Sequence, residues 1–269
     1  MPFDDLAEFQ PTGGCFGGQV RYYAEAGSTN EVALAAGRQG APEGLVIVVD
    51  VQTAGRGRMG RRWEAPPGTS LLLSVLFRPP QPFPFYAVRT TMVCGLALRD
   101  AVLHEAGVPV QLKWPNDLIT ADTGARWSKL AGILSEIGLT SDGTPETLVV
   151  GIGVNVNVPH EALAALGPNA GSLLAERGAP VARTALLRRL LAYIELHFQA
   201  LRHGVDPLAA WRDALAWMGE EVEVRGPSEV IVGVATGVAD DGGLLVGLAD
   251  GEISHVTAGD VSLRLRSAV

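Results

Sequence analysis

The stretch "GRGRMGRRWEAPPGTS", residues 55–70, decides between two different folds. Gly55, Gly57 and Gly60 spell G-x-G-x-x-G, the pattern of a dinucleotide-binding turn. That turn works only where a strand feeds it and a helix opens from it, so that pyrophosphate meets the helix N-terminus. The strand is in place, because "GLVIVVDVQ", 44–52, is an apolar Val-rich run. The helix is excluded. Pro66 and Pro67 fall within two turns of Gly60, and proline breaks a helix interior. No acidic residue stands about 20 residues on to bind a ribose; Phe77 and Arg78 are there instead. The glycines then serve another purpose. They alternate with Arg56 and Arg58, and Arg61 and Arg62 follow, so a pliant backbone and guanidinium forks can close on one anion. A solvated surface loop is the plain alternative, and partners elsewhere in the chain must decide.

The rest of the composition narrows the field. The 269 residues suit one large domain or a domain with a small appendix, and 47% hydrophobic against 19% charged residues is globular. A net charge of −8 makes a poor non-specific nucleic-acid binder, so any anion site is a local basic patch. Cys15 and Cys94 form no C-x-x-C and no disulfide framework, and Cys94 falls in an apolar helical run. The start "MPFDDLAEFQPTGG" has no apolar core of a signal peptide, and no run of 18 or more apolar residues exists. A cytoplasmic protein with no membrane contact is expected.

Periodicity predicts helices over 28–38, 86–106, 184–203 and 207–218, with a proline loop at 78–85. It predicts strands over 44–52, 69–77, 110–114, 128–138 and 146–157, with a hairpin turn at Asp-Thr-Gly between Leu118 and Lys129. After Met218 the chain changes to short strands separated by Asp/Gly turns, the texture of a small β-barrel. The expected division is therefore 1–218 and 219–269, with an α+β main body. The scattered histidines form no H-E-x-x-H, no G-x-S-x-G occurs, and no metal ligand set is assigned.

Five segments complete the pattern: "GSTNE" (27–31), "VQTAGRGRMGRRW" (51–63), "LKWPNDL" (112–118), "KLAGILSE" (129–136) and "VVGIGVNVN" (149–157). In this order they resemble the bacterial biotin protein ligases, from about Ser28 to Asn157, with weaker similarity to the C-terminus. The resemblance implies a mixed β-sheet backed by helices, related to class II aminoacyl-tRNA synthetases, with a C-terminal barrel. It implies that biotin is activated with ATP and Mg²⁺ to biotinyl-5′-AMP. The biotin is then transferred to a lysine of a biotin carboxyl carrier protein, usually that of acetyl-CoA carboxylase. Such chemistry runs through a substrate anhydride and requires no enzyme nucleophile.

The resemblance also implies site residues. Arg56 and Arg58 would sit at the biotin carboxylate and phosphates with Gly57 between them, and Lys129 at the reacting carboxylate. Arg61 and Lys113 complete a set of cations that offsets charge building up at phosphorus. Ser28, Thr29, Asn30 and Gln52 match positions that meet the biotin ureido ring, although "STN" is equally a helix cap. Trp63 matches an aromatic that packs on adenine, or it is a core anchor. Asn116 is a turn residue or a nucleotide contact, while Asp117 is expected to orient the incoming lysine. Asn155 and Arg264 are expected near the nucleotide. Some relatives carry an N-terminal DNA-binding domain, which the roughly 25 residues before "GSTN" cannot hold, so no DNA binding is expected. A homodimer is possible by resemblance. The rivals are a lipoate or octanoyl ligase and a non-catalytic biotin-sensing regulator.

Overall fold

A computed structural model describes residues 6–121, 127–225 and 229–257, and the backbone of 262–265. Its main body is a seven-stranded mixed sheet. The strands are β1 (Val20–Ala26), β2 (Val46–Gln52), β3 (Ser70–Phe77), β4 (Val110–Lys113), β5 (Asp117–Thr120), β6 (Lys129–Leu139) and β7 (Pro145–Asn155). They lie in the order β1-β2-β3-β7-β6-β5-β4. Only β1 and β2 run parallel; the other five pairings are antiparallel. The helices are α1 (Gly14–Gly17), α2 (Thr29–Arg38), α3 (Phe83–Ala106), α4 (His160–Leu166), α5 (Leu173–Arg177), α6 (Arg183–Arg202) and α7 (Leu208–Asp213). Among the described residues, none is long and apolar enough to cross a membrane.

The sheet has two unlike faces, and strand alternation assigns them. In β2, Val46 and Val48 join the main core, whereas Ile47 and Val49 pack under α2. In β3, Leu71, Leu73, Val75 and Phe77 face the main core with α3 and α6. All eight residues of β3 are buried, because helices cover it on both sides. In β7 the even positions Leu148, Val150, Ile152 and Val154 are core. The odd positions Gly151, Gly153 and Asn155 fall on the other face. There Gly153 pairs with Gly132 of β6 and Leu72 of β3, and Gly151 pairs with Leu134 and Ser74. A helix covers one end of this second face. Its middle is stripped of side chains by glycine.

Several sequence boundaries move, each for a local reason. Helix α3 starts at Phe83, inside the expected proline loop, with proline in its first turn, where its missing N–H costs nothing. It ends as expected at Gly107, whose φ of 65° is left-handed. The helix expected over 207–218 stops at Asp213. Tertiary pairing replaces it: Leu112 N–H donates to Ala214 O at 2.9 Å and Ala216 N–H to Leu112 O at 2.8 Å. Ser28 stands at the N-cap of α2 in extended conformation, but its side chain makes no capping bond. Strand β1 and the short helices α4 and α5 were not anticipated. The tip of the expected hairpin, 122–126, lies outside the described residues.

Beyond Met218 come β8 (Glu221–Arg225), β9 (Val230–Val238), β10 (Leu244–Gly247), β11 (Ile253–Val256) and β12 (Ser262–Leu265). They form a separate antiparallel sheet in the order β11-β10-β9-β8-β12. Its apolar side is continuous with the main core through Val222, Val224, Leu244 and Val246. Two buried polar anchors hold the turn between β9 and β10 to the body. The indole N–H of Trp114 donates to Gly242 O at 2.9 Å. Arg89, 1% exposed, pairs with Asp206 at 2.8 Å and donates to the carbonyl of Asp240.

Candidate active site

The glycine-stripped face opens into a cleft of about 370 Å³. Its floor is the Gly132–Gly153 pair, and Trp63 lies flat on it. A Cβ on Gly153 would stand 2.6 Å from Trp63 Cε2, and one on Gly132 would stand 3.0 Å from Cζ3. These strand glycines are therefore required by the indole. The main chain fixes the ring from the other side: Trp63 N–H donates to Gly55 O at 3.0 Å, and Gly57 N–H to Arg61 O at 2.7 Å. The arginine loop is thus a tight self-paired turn, with Met59 left-handed at φ 60° and Arg56 bridging Arg62. The segment holds no α-helix, as the prolines require.

The turn from β4 to β5 and the start of β6 supply the next wall. Lys129 Nζ pairs with Asp117 Oδ1 at 2.7 Å and stands 5.6 Å from the centre of the Trp63 ring. Asn116 is held twice, by Nδ2 donating to Ile133 O at 2.9 Å and by Oδ1 accepting from Arg58 at 3.1 Å. Lys113, 6% exposed, lies over Trp127 and Trp217, 5.5 and 6.0 Å from their ring centres. Desolvating an ammonium is costly, and two aromatic faces offset part of that. The segment from Leu166 to Ala170 closes the far side, with Lys129 N–H donating to Asn169 O at 2.6 Å.

At the opposite end, the N-terminus of α2 enters the cleft. Gln52 Oε1 accepts from Thr29 N–H at 2.8 Å and Thr29 Oγ1 at 3.2 Å, satisfying a helix donor that Ser28 leaves open. Asn30 is 3% exposed, and its carboxamide is engaged inside the protein by Ser74, Leu134 and Glu136. Arg56 reaches Glu136 Oε2 at 3.1 Å. Two buried polar atoms on the cleft have no partner among the described residues: Trp63 Nε1 and Asn155 Oδ1. Buried donors and acceptors are rarely left unpaired, and such atoms point to a ligand or water.

The fold therefore brings Ser28, Thr29, Asn30, Gln52, Arg56, Gly57, Arg58, Arg61, Trp63, Lys113, Asn116, Asp117, Lys129 and Asn155 to one cleft, from five separate segments. Arg264 lies on β12 opposite Glu223, and its side chain is outside the described residues. Glu136, Trp127 and the 166–170 wall were not anticipated. For Glu136 the only signal was its place at the end of "KLAGILSE", in phase with Gly132.

Comparison with known proteins agrees with this arrangement. The biotin/lipoate A/B protein ligase family matches residues 26–155, and the biotin protein ligase C-terminal domain matches 218–264. The biotin–[acetyl-CoA-carboxylase] ligase of Mycobacterium tuberculosis is 35% identical over 254 residues, spanning 90% of this chain and 88% of that one. The chain belongs to the biotin protein ligases. Another relative, the bifunctional ligase/repressor BirA of Bacillus subtilis, is 29% identical across 92% of this chain and 74% of its own length. Among solved structures, the Aquifex aeolicus biotin protein ligase in complex with biotin and ATP superposes with a TM-score of 0.75. It is 28% identical, with 92% of this chain and 99% of that one covered. The mixed sheet backed by helices is the biotin protein ligase fold, and all of the cleft except its 166–170 wall lies within the stretch matched by the first family model.

Proposed function

We propose that this biotin protein ligase joins biotin to a lysine of a biotin carboxyl carrier protein at the expense of ATP, in two steps within the one cleft. First, a biotin carboxylate oxygen bonds to the α-phosphorus of ATP while the bond to the bridging β-phosphate oxygen breaks. Biotinyl-5′-AMP forms and pyrophosphate leaves. Second, the lysine ε-amine attacks the acyl carbon, the acyl C–O bond breaks, AMP leaves and the amine proton passes to a base.

The observation that carries this reading is the gathering of Arg56, Arg58, Arg61, Lys113 and Lys129 on one cleft of a chain with net charge −8. A carboxylate and a polyphosphate repel each other as they meet, and fixed cations stabilise the charge that spreads over the phosphate oxygens. Lys129 and the arginine loop are the groups for the reacting carboxylate and α-phosphate. Trp63, with its face on the cleft and its indole Nε1–H unpaired, suits adenine, and the unpaired Asn155 Oδ1 suits a donor of the nucleotide. Asp117, once Lys129 turns to the adenylate, is placed to orient the carrier lysine. Magnesium would come with ATP, held by phosphate oxygens and water as is usual for this ion. Among the described residues no group of three or more His, Cys, Asp or Glu could hold a metal. We take 1–218 as the catalytic part and 219–269 as the C-terminal domain.

The test is incubation of the protein with ATP, Mg²⁺, biotin and an isolated carrier domain, followed by intact mass. The expected result is one biotinyl addition on the carrier lysine, with no addition when lipoate replaces biotin. An unmodified carrier, or equal transfer of lipoate, would overturn the reading.

A further inference from the structure

Glu136, which lies beside the cleft against the arginine loop, has no part in the two steps above. Glu136 stands on β6 in the same row as Gly132 and Leu134, beside a site built to receive anions. A carboxylate there weakens attraction for the substrate unless it serves another purpose. Its Oε2 accepts a hydrogen bond from Asn30 Nδ2 at 2.6 Å and forms an ion pair with Arg56 at 3.1 Å. Asn30 is itself fixed. Its Nδ2 also donates to Leu134 O at 3.1 Å, and its Oδ1 accepts from Ser74 Oγ at 2.6 Å. Its carboxamide lies against Gly151, where a Cβ would collide with it. Ser74 is fully buried and Asn30 nearly so. A continuous chain, two hydrogen bonds followed by an ion pair, therefore runs from the buried strand β3 across β7 to the arginine loop.

The far end of this chain is built differently from its buried start. Arg56 is held through one guanidinium nitrogen, and its side chain is 44% exposed. A guanidinium carries five N–H donors in a rigid plane, so a single contact can set the plane and leave the remaining donors for a second carboxylate. Without that contact, an exposed arginine on a glycine loop is spread over many rotamers.

We propose that Glu136, backed by Asn30 and Ser74, is a positioning residue that aims Arg56, and with it the 55–62 loop, at the carboxylate of the biotin substrate. This rests on the biotin-ligase reading for the identity of that carboxylate. It also gives Asn30 a role other than the expected ureido contact: it is the spacer that sets Glu136.

Two measurements test it. The first needs no substrate. Arg56 in the unliganded protein is labelled with phenylglyoxal and quantified by peptide mass spectrometry. Glu136→Gln and Ser74→Ala should raise the labelling rate at Arg56 several-fold and leave the remote Arg38 unchanged. The second is biotin-dependent ATP–pyrophosphate exchange. Glu136→Gln should raise KM for biotin about tenfold, the scale of one charge-assisted hydrogen bond, with kcat within about twofold and Tm unchanged. In an Arg56→Lys background the same substitution should change KM by less than about twofold, because the partner is already lost. Equal labelling of Arg56, or a lower KM for biotin in Glu136→Gln, overturns the proposal. A difference in labelling with no biotin-dependent exchange in the wild-type protein supports the positioning role and removes biotin as the substrate.

Discussion

Replacing Gly153 by alanine tests the floor of the cleft most directly. The new methyl group would stand 2.6 Å from Trp63 Cε2 and 2.9 Å from Cζ2 and Nε1, where ordinary contact begins near 3.4 Å. The indole must rise by roughly 0.8 Å. It cannot slide aside without cost, because Trp63 N–H is bonded to Gly55 O and Gly55 in turn packs on the Trp63 carbonyl. Overpacking of this kind costs about 1–3 kcal/mol. For a chain of this size that is a fall in Tm of roughly 2–10 °C. Lifting the ring also moves the surface proposed to stack on adenine, so KM for ATP should rise about tenfold, the scale of a lost aromatic contact. Thermal unfolding of the unliganded protein and the ATP dependence of pyrophosphate exchange read the two effects. Gly237→Ala on β9 is the control, since its nearest neighbour would be 3.9 Å away; its Tm should stay within about a degree or rise. If Gly153→Ala unfolds with the wild-type protein and binds ATP as well, the account of Trp63 seated on the glycine pair is wrong.

Further outcomes follow from the same geometry. Lys129→Met should slow adenylate formation by about 10²-fold or more, as expected for losing a fixed transition-state cation. It should also lower Tm, because Asp117, 14% exposed, loses its counter-ion; adding Asp117→Asn should restore Tm but not activity, and a single variant with unchanged Tm would count against the pair. Biotin and ATP together should slow tryptic cleavage at Arg56, Arg58 and Arg61. Arg58→Gly, which removes the bond to Asn116, should release the adenylate to solvent early; equal protection and equal release would refute a clamp. Asp100 gives a pH prediction. Burial opposes its charge, but hydrogen bonds from His197 and Arg99 outweigh this and hold the carboxyl below the usual aspartate range. A lowered folded-state value contributes stability above the ordinary aspartate pKa of about 4, which is lost as pH falls through the folded value. Asp100→Asn should therefore destabilise at pH 6, by an amount that shrinks steadily as the pH falls below about 4. A deficit that does not shrink as the pH is lowered from 6 would contradict the shift.

Much of the candidate site was legible in the sequence. The order "GSTN", "GRGRMGRRW", "KWPND", "KLAGIL", "GVNVN" identified the family and named most of the cleft residues, because charged and aromatic side chains at fixed spacing record chemistry directly. Pro66 and Pro67 alone removed the dinucleotide fold, since the backbone limits of proline hold in any context. Continuous apolar runs placed β2 and β3, because a strand covered on both faces is apolar along nearly its whole length.

Tertiary structure decided what no local pattern carries. The helix expected through Met218 ends at Asp213 because Leu112, about a hundred positions earlier, claims the next backbone groups. Alternating glycines in "VVGIGVNVN" look like weak strand positions until Asn30 is seen against Gly151 and Trp63 on Gly153. Glu136 reads as an ordinary strand residue until Asn30 and Arg56 meet at its carboxylate. Chemistry sets which residue types are present and is therefore written in the chain itself. Which atoms touch across the sheet depends on register and closure, and these emerge only when all the strands are paired.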